Sequence, residues 1–162
     1  MTIEARPQTL RGEEQPGFYL TPREKNILQA YIDGLRGVGQ VGESIGLAAG
    51  TVRNNKAALA QRLREETGMS IAFFVALEAR RGSFEIGEVD RPNFRENVEQ
   101  CARLVARGLA RGEIAAVLNV PYGTIKNRFS EIYFSVGANN FLQAVAILSR
   151  MYEGQPGEVE NG

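Results

Sequence analysis

Apolar residues recur along most of the chain with the spacing of one helical face. Ile27, Leu28, Tyr31, Ile32 and Leu35 form a first stripe, and Val98, Cys101, Leu104 and Val105 form a second. Ile125, Phe129, Ile132 and Val136 follow at i, i+4, i+7 and i+11, again one face. Two further segments, Ile71 to Arg80 and Phe141 to Met151, are apolar over a wider arc and imply helices buried on more than one side. The one alternating stretch, Phe84 and Ile86, is too short to imply a sheet. The pattern predicts an all-α protein.

Punctuation divides the stripes into helices. Leu20-Thr21-Pro22-Arg23-Glu24 is a helix start: Thr21 can cap, Pro22 fits the first position and Glu24 completes a capping box. Gly34 is the matching stop. A turn and a short helix over 40–46 follow, with Val41, Ile45 and Leu47 facing inward. Gly42 and Gly46 cost that helix about 1 kcal/mol each relative to alanine. Thr51 opens a helix running through Leu59 and Leu63 to Gly68, and Ile71 to Arg80 is the fourth. The order then repeats: a capping box at Asn93-Phe94-Arg95-Glu96, a stripe ending at Gly108, a short helix over 113–118, a turn at Asn119-Val120-Pro121, a helix over 124–136, a break at Gly137, and a last helix from Phe141. Thr51-Val52-Arg53-Asn54 matches Thr124-Ile125-Lys126-Asn127 at a spacing of 73 residues, too long for a solenoid and suited to two four-helix units. The units span 20–82 and 91–153, joined by an acidic linker over 83–90. Flexible tails are expected over 1–19 and 154–162.

Composition narrows the chemistry. There is no histidine, which removes histidine-based acid–base catalysis, the usual nucleophilic triads and common zinc ligand sets. Cys101 is the only cysteine and falls on an apolar stripe, so it reads as a buried thiol. No paired carboxylates stand at catalytic spacing. A non-enzymatic protein without metal or cofactor is expected. Gly37-Val-Gly39-Gln-Val-Gly42 matches the dinucleotide fingerprint, but it follows a helix where that motif needs a strand. No apolar run approaches the ~18 residues of a membrane span, and the N-terminus lacks a signal-peptide pattern, so a cytoplasmic protein is expected.

Formal charge is zero, with 19 basic and 19 acidic residues. The distribution is uneven: 20–82 carries nine basic residues against six acidic ones, and 91–152 carries eight against four. Two mildly basic bodies are joined and flanked by acidic segments. On the helix over 124–136, Lys126, Asn127 and Ser130 fall opposite the apolar stripe, with Arg128 on the flank. A short helix with an apolar back and such a front suits the major groove, where asparagine can pair with adenine and lysine or arginine with guanine or phosphate.

Together these residues resemble the LuxR-type (GerE, or NarL/FixJ-type) helix-turn-helix domain. The first unit matches in Leu20-Thr21-Pro22-Arg23-Glu24, Gly34, Val41, Ile45, Leu47 and Thr51-Val52-Arg53. The second matches in Gly108, Glu113-Ile114-Ala115, Leu118, Val120, Thr124-Ile125-Lys126 and Ile132-Tyr133. Departures are the absent Leu-Thr-x-Arg-Glu box in the second unit, Ala48 and Pro121 at the position that usually caps the recognition helix, and Lys56 where Phe129 supplies the buried face. The resemblance implies two tandem LuxR-like domains that read double-stranded DNA as a transcription regulator without a sensor domain. By similarity, Arg53, Asn54 and Ala57 in one unit and Lys126, Asn127 and Ser130 in the other would contact bases. Thr51, Asn55, Thr124 and Arg128 would act on the DNA backbone. Two heads on one chain raise each other's effective concentration, and the connector could span up to ~40 Å when extended. Pairing with a second copy through the fourth helices is a further expectation. The alternative is a degenerate tandem module that binds RNA polymerase, a sigma factor or another regulator.

Overall fold

Thr21 starts the first helix in the way its neighbours imply. Its hydroxyl accepts from the Glu24 backbone N–H at 3.1 Å, and the Glu24 carboxylate accepts from the Thr21 N–H at 2.9 Å. The computed structural model describes residues 17–153; the stretches 1–16 and 154–162 of the expected tails lie outside the described residues. Among the described residues there are eight α-helices and no strand. They are α1 (Pro22–Ile32), α2 (Val38–Ile45), α3 (Ala49–Thr67), α4 (Ile71–Arg80), α5 (Glu96–Val105), α6 (Arg111–Leu118), α7 (Tyr122–Val136) and α8 (Phe141–Met151). No single helix among them is long and apolar enough to cross a membrane. Of the fingerprint-like glycines, left-handed Gly37 precedes α2 while Gly39 and Gly42 lie within it, and no strand leads into them.

Each half repeats one local arrangement. The short helices α2 and α6 end at left-handed residues, Gly46 and Asn119, which turn the chain into α3 and α7. After each of these turns a backbone N–H returns to the short helix: Leu47 to the Gly42 carbonyl at 2.9 Å, and Val120 to the Ala115 carbonyl at 3.1 Å. In the first half the approach is so close that a Cβ on Gly42 would fall on the Leu47 carbonyl oxygen. Gly42 is therefore a packing requirement as well as a propensity cost.

The second first-helix start departs from expectation. No capping box forms over 93–96. α5 begins at Glu96, its N-cap is Arg95, and no side chain caps it. The Arg95 guanidinium instead reaches Glu131 on α7 at 2.7 Å. A charged partner in space, 36 residues away, wins over the local carboxylate. That pairing holds Glu131 below its ordinary pKa through the hydrogen bond from Arg95. In the first half the polarity is reversed: Glu24 on α1 takes Arg62 from α3.

The wide apolar arcs of α4 and α8 are spent on each other. This is the most extensive helix pairing in the molecule, with Val75, Ala76 and Ala79 of α4 and Ala144, Val145, Leu148 and Ser149 of α8 all buried. Small side chains let two helices approach closely. α8 also packs on α1, α5 and α7. Its start, Asn139-Asn140, docks on the end of α1. The Asn139 amide donates to the Gly34 carbonyl at 3.1 Å, and the Asn140 amide donates to Tyr31 and Leu35 carbonyls at 2.9 and 2.8 Å. Asn140 at the same time caps α8, accepting from the Gln143 N–H at 2.8 Å. A reciprocal approach occurs at the other corner, where left-handed Gly108 lies so near the Ala72–Phe73 backbone of α4 that no Cβ would fit.

The connector is no extended spacer. Phe84 is buried, Ile86 and Val89 pack against the core, and Glu85 exchanges two hydrogen bonds with the Gln29 side chain on α1, at 2.8 and 3.0 Å. The end of the expected N-terminal tail is docked too: Phe18 meets Phe74 edge-on at 5.5 Å, under the Arg62 guanidinium.

Candidate nucleic-acid interface

The two candidate reading helices, α3 and α7, are each held by a buried back. On α7 this is the expected stripe: Ile125, Phe129, Ile132 and Val136 are all buried. Phe129 stacks against Phe141 at 6.0 Å with the rings 10° from parallel. On α3 the back is Val52, Leu59 and Leu63. Lys56, at the register of Phe129, completes it differently. Its stem is half-buried and its ammonium sits 4.3 Å over the Tyr31 ring, a cation–π contact that replaces an aromatic one. Burial pushes the Lys56 amine below its ordinary pKa.

With the backs pinned, the fronts turn outward. Arg53, Asn54 and Ala57 on α3 and Lys126, Asn127 and Ser130 on α7 are exposed. Among the described residues, the Arg53, Asn54, Lys126 and Asn127 side chains make no hydrogen bond or ion pair, so their donors and acceptors stay open to a ligand. Thr51, Asn55, Thr124 and Arg128 are half-buried on the flanks. Asn55 is partly spent, since its amide donates to the Thr51 carbonyl at 2.8 Å. Ser130 makes only a long bond to the Lys126 carbonyl, at 3.3 Å. Neither α3 nor α7 has a side-chain cap: Ala48 and Pro121 stand at these N-termini.

One front residue escaped the sequence reading. Phe134 lies seven residues beyond Asn127 and four beyond Ser130, hence on the same face, and it is 88% exposed. Continuing the polar stripe one more turn would have found it. The same register in the first half, 73 residues earlier, holds Gln61. Among the described residues no three cysteines or carboxylates gather as a metal site would require. No protein-family model, curated protein or solved structure matches the chain significantly.

Proposed function

We propose that the chain is a sequence-specific double-stranded DNA-binding transcription regulator, with α2–α3 and α6–α7 as two helix-turn-helix units and α3 and α7 as recognition helices. The observation that carries this reading is the pair of Arg/Lys–Asn dipeptides, Arg53-Asn54 and Lys126-Asn127. They occupy equivalent registers on helices with buried backs, are exposed, and have no partner among the described residues. Asparagine supplies a bidentate match to adenine, and the neighbouring cation takes guanine or phosphate. The basic bias of each half supports the same assignment. A DNA shift assay at two salt concentrations tests it. Each phosphate neutralised adds about 0.9 to the slope of log affinity against log salt. Asn127→Ala should cost about 1–3 kcal/mol of discrimination at one base pair while leaving non-specific affinity nearly unchanged. Unaltered sequence preference in that variant would remove α7 from base reading.

A second reading is favoured by Phe134, because a large exposed ring on a helix front also suits a protein surface. The partner would be RNA polymerase, a sigma factor or another regulator. A Phe134→Ala protein that keeps its DNA shift but loses capture of RNA polymerase would favour that role for the second half.

A further inference from the structure

We infer that the cleft between the start of α6, α7 and the start of α8 binds a small planar aromatic carboxylate. The cleft measures about 520 Å³ and includes Arg111, Tyr122, Phe129, Tyr133 and Phe141 in its walls. That volume lies within the usual ~300–1,000 Å³ of small-molecule sites, which are mostly apolar with a few convergent polar groups.

The walls specify a flat body. Phe129 is buried, stacked on Phe141 and covered by Arg111, so the rings that a guest can reach are Phe141, Tyr133 and, at the margin, half-exposed Tyr122. Aromatic guests gain from offset or edge-on contact with such rings. The polar end is specified by Arg111. Its guanidinium lies 5.1 Å over the Phe129 ring, which holds it against the aromatic wall. Arg62, Arg81, Arg95, Arg103 and Arg150 each face a carboxylate, whereas among the described residues Arg111 faces none. The nearby Glu113 carboxylate is committed to the Ala110 N–H at 2.8 Å. No acidic residue lines the cleft, and Asn140 in its wall is fully committed to α1 and α8. A fixed guanidinium with an open fork, set against rings, matches a carboxylate on an aromatic frame. Bare inorganic anions would leave the ring walls unused.

The site stands independently of DNA reading, and its test needs no DNA. Calorimetric titration of the full chain with 2-naphthoate should show saturable one-site binding, with 2-naphthylmethanol, the neutral counterpart, weaker by at least about tenfold. Arg111→Gln and Tyr122→Ala should each weaken naphthoate, the first by about tenfold or more. Arg64→Gln, an exposed cation on α3 outside the cleft, should bind as the parent does. Circular dichroism of each variant separates lost binding from lost folding, and half-exposed Tyr122 keeps the test open if Arg111→Gln does not fold. Equal binding of acid and alcohol, parent-like binding by folded Arg111→Gln, equal loss in Arg64→Gln, or no saturation at millimolar naphthoate would each overturn the assignment.

Discussion

Asn140 joins two helix ends with one side chain: its oxygen caps α8 while its amide nitrogen closes two carbonyls at the end of α1. Asn140→Ala should therefore lose about 2 kcal/mol or more, a missing cap plus carbonyls left without a donor, measurable by urea unfolding. Asn140→Asp keeps the α8 cap but sets a negative charge against those carbonyls, so it too should destabilise. Near-parental stability of the aspartate variant would show that the α1 contacts contribute little. Cys101 offers a second test at this scale. Burial pushes its thiol up to about 11 from an ordinary 9.0. The unfolded chain then ionises first, so stability is full below pH 9 and falls as pH rises between about 9 and 11. Urea midpoints across that window should drop, and Cys101→Ala should flatten the drop.

Among the elements, the short helix α2 shows how one residue type takes opposite roles. Gly42→Ala places a methyl on the Leu47 carbonyl oxygen and should cost about 1–3 kcal/mol despite a better helix propensity. Gly39→Ala, three residues earlier in the same helix, meets open space and should gain about 0.5–1 kcal/mol. Thermal melts of the two variants should shift in opposite directions. The helices themselves were legible because apolar spacing, Thr21, Gly34, Gly68 and Gly137 are all local signals. The start of α5 was not, because Arg95 is committed to Glu131 on a distant helix, and no local rule reports that partner. The exposed polar front of α7 was legible for the same reason the helices were: burying Ile125, Phe129 and Ile132 forces Lys126 and Asn127 outward. Arg111 and its aromatic neighbours come from three helices, so their convergence was invisible in the chain order.

At the scale of the whole molecule, the halves are interlocked. α4 and α8 bury their small-residue faces together, α8 starts on the end of α1, and the α5–α6 corner at Gly108 sits against α4. A chain ending at residue 82 would leave Val75, Ala76 and Ala79 facing water, so it should lack a cooperative melt, whereas the full chain should unfold in a single transition by circular dichroism. Gly108→Val, which needs both a left-handed valine and space occupied by the Phe73 backbone, should lower the melting temperature of both halves together. The breadth of the apolar arcs on α4 and α8 implied a partner; that they were each other's partner depends on contacts about seventy residues apart in sequence, which periodicity does not encode.

The opposed polarity and unequal registers of the α1–α3 and α5–α7 ion pairs bear on how two similarly arranged halves find their native pairing. Halves of like arrangement invite exchange, with the leading helix of one settling on the third helix of the other. Here, by the 73-residue register, such a swap would set Glu24 against Ser135 and Arg95 against Ala58, so that both ion pairs are lost. Only the native assembly closes both pairs.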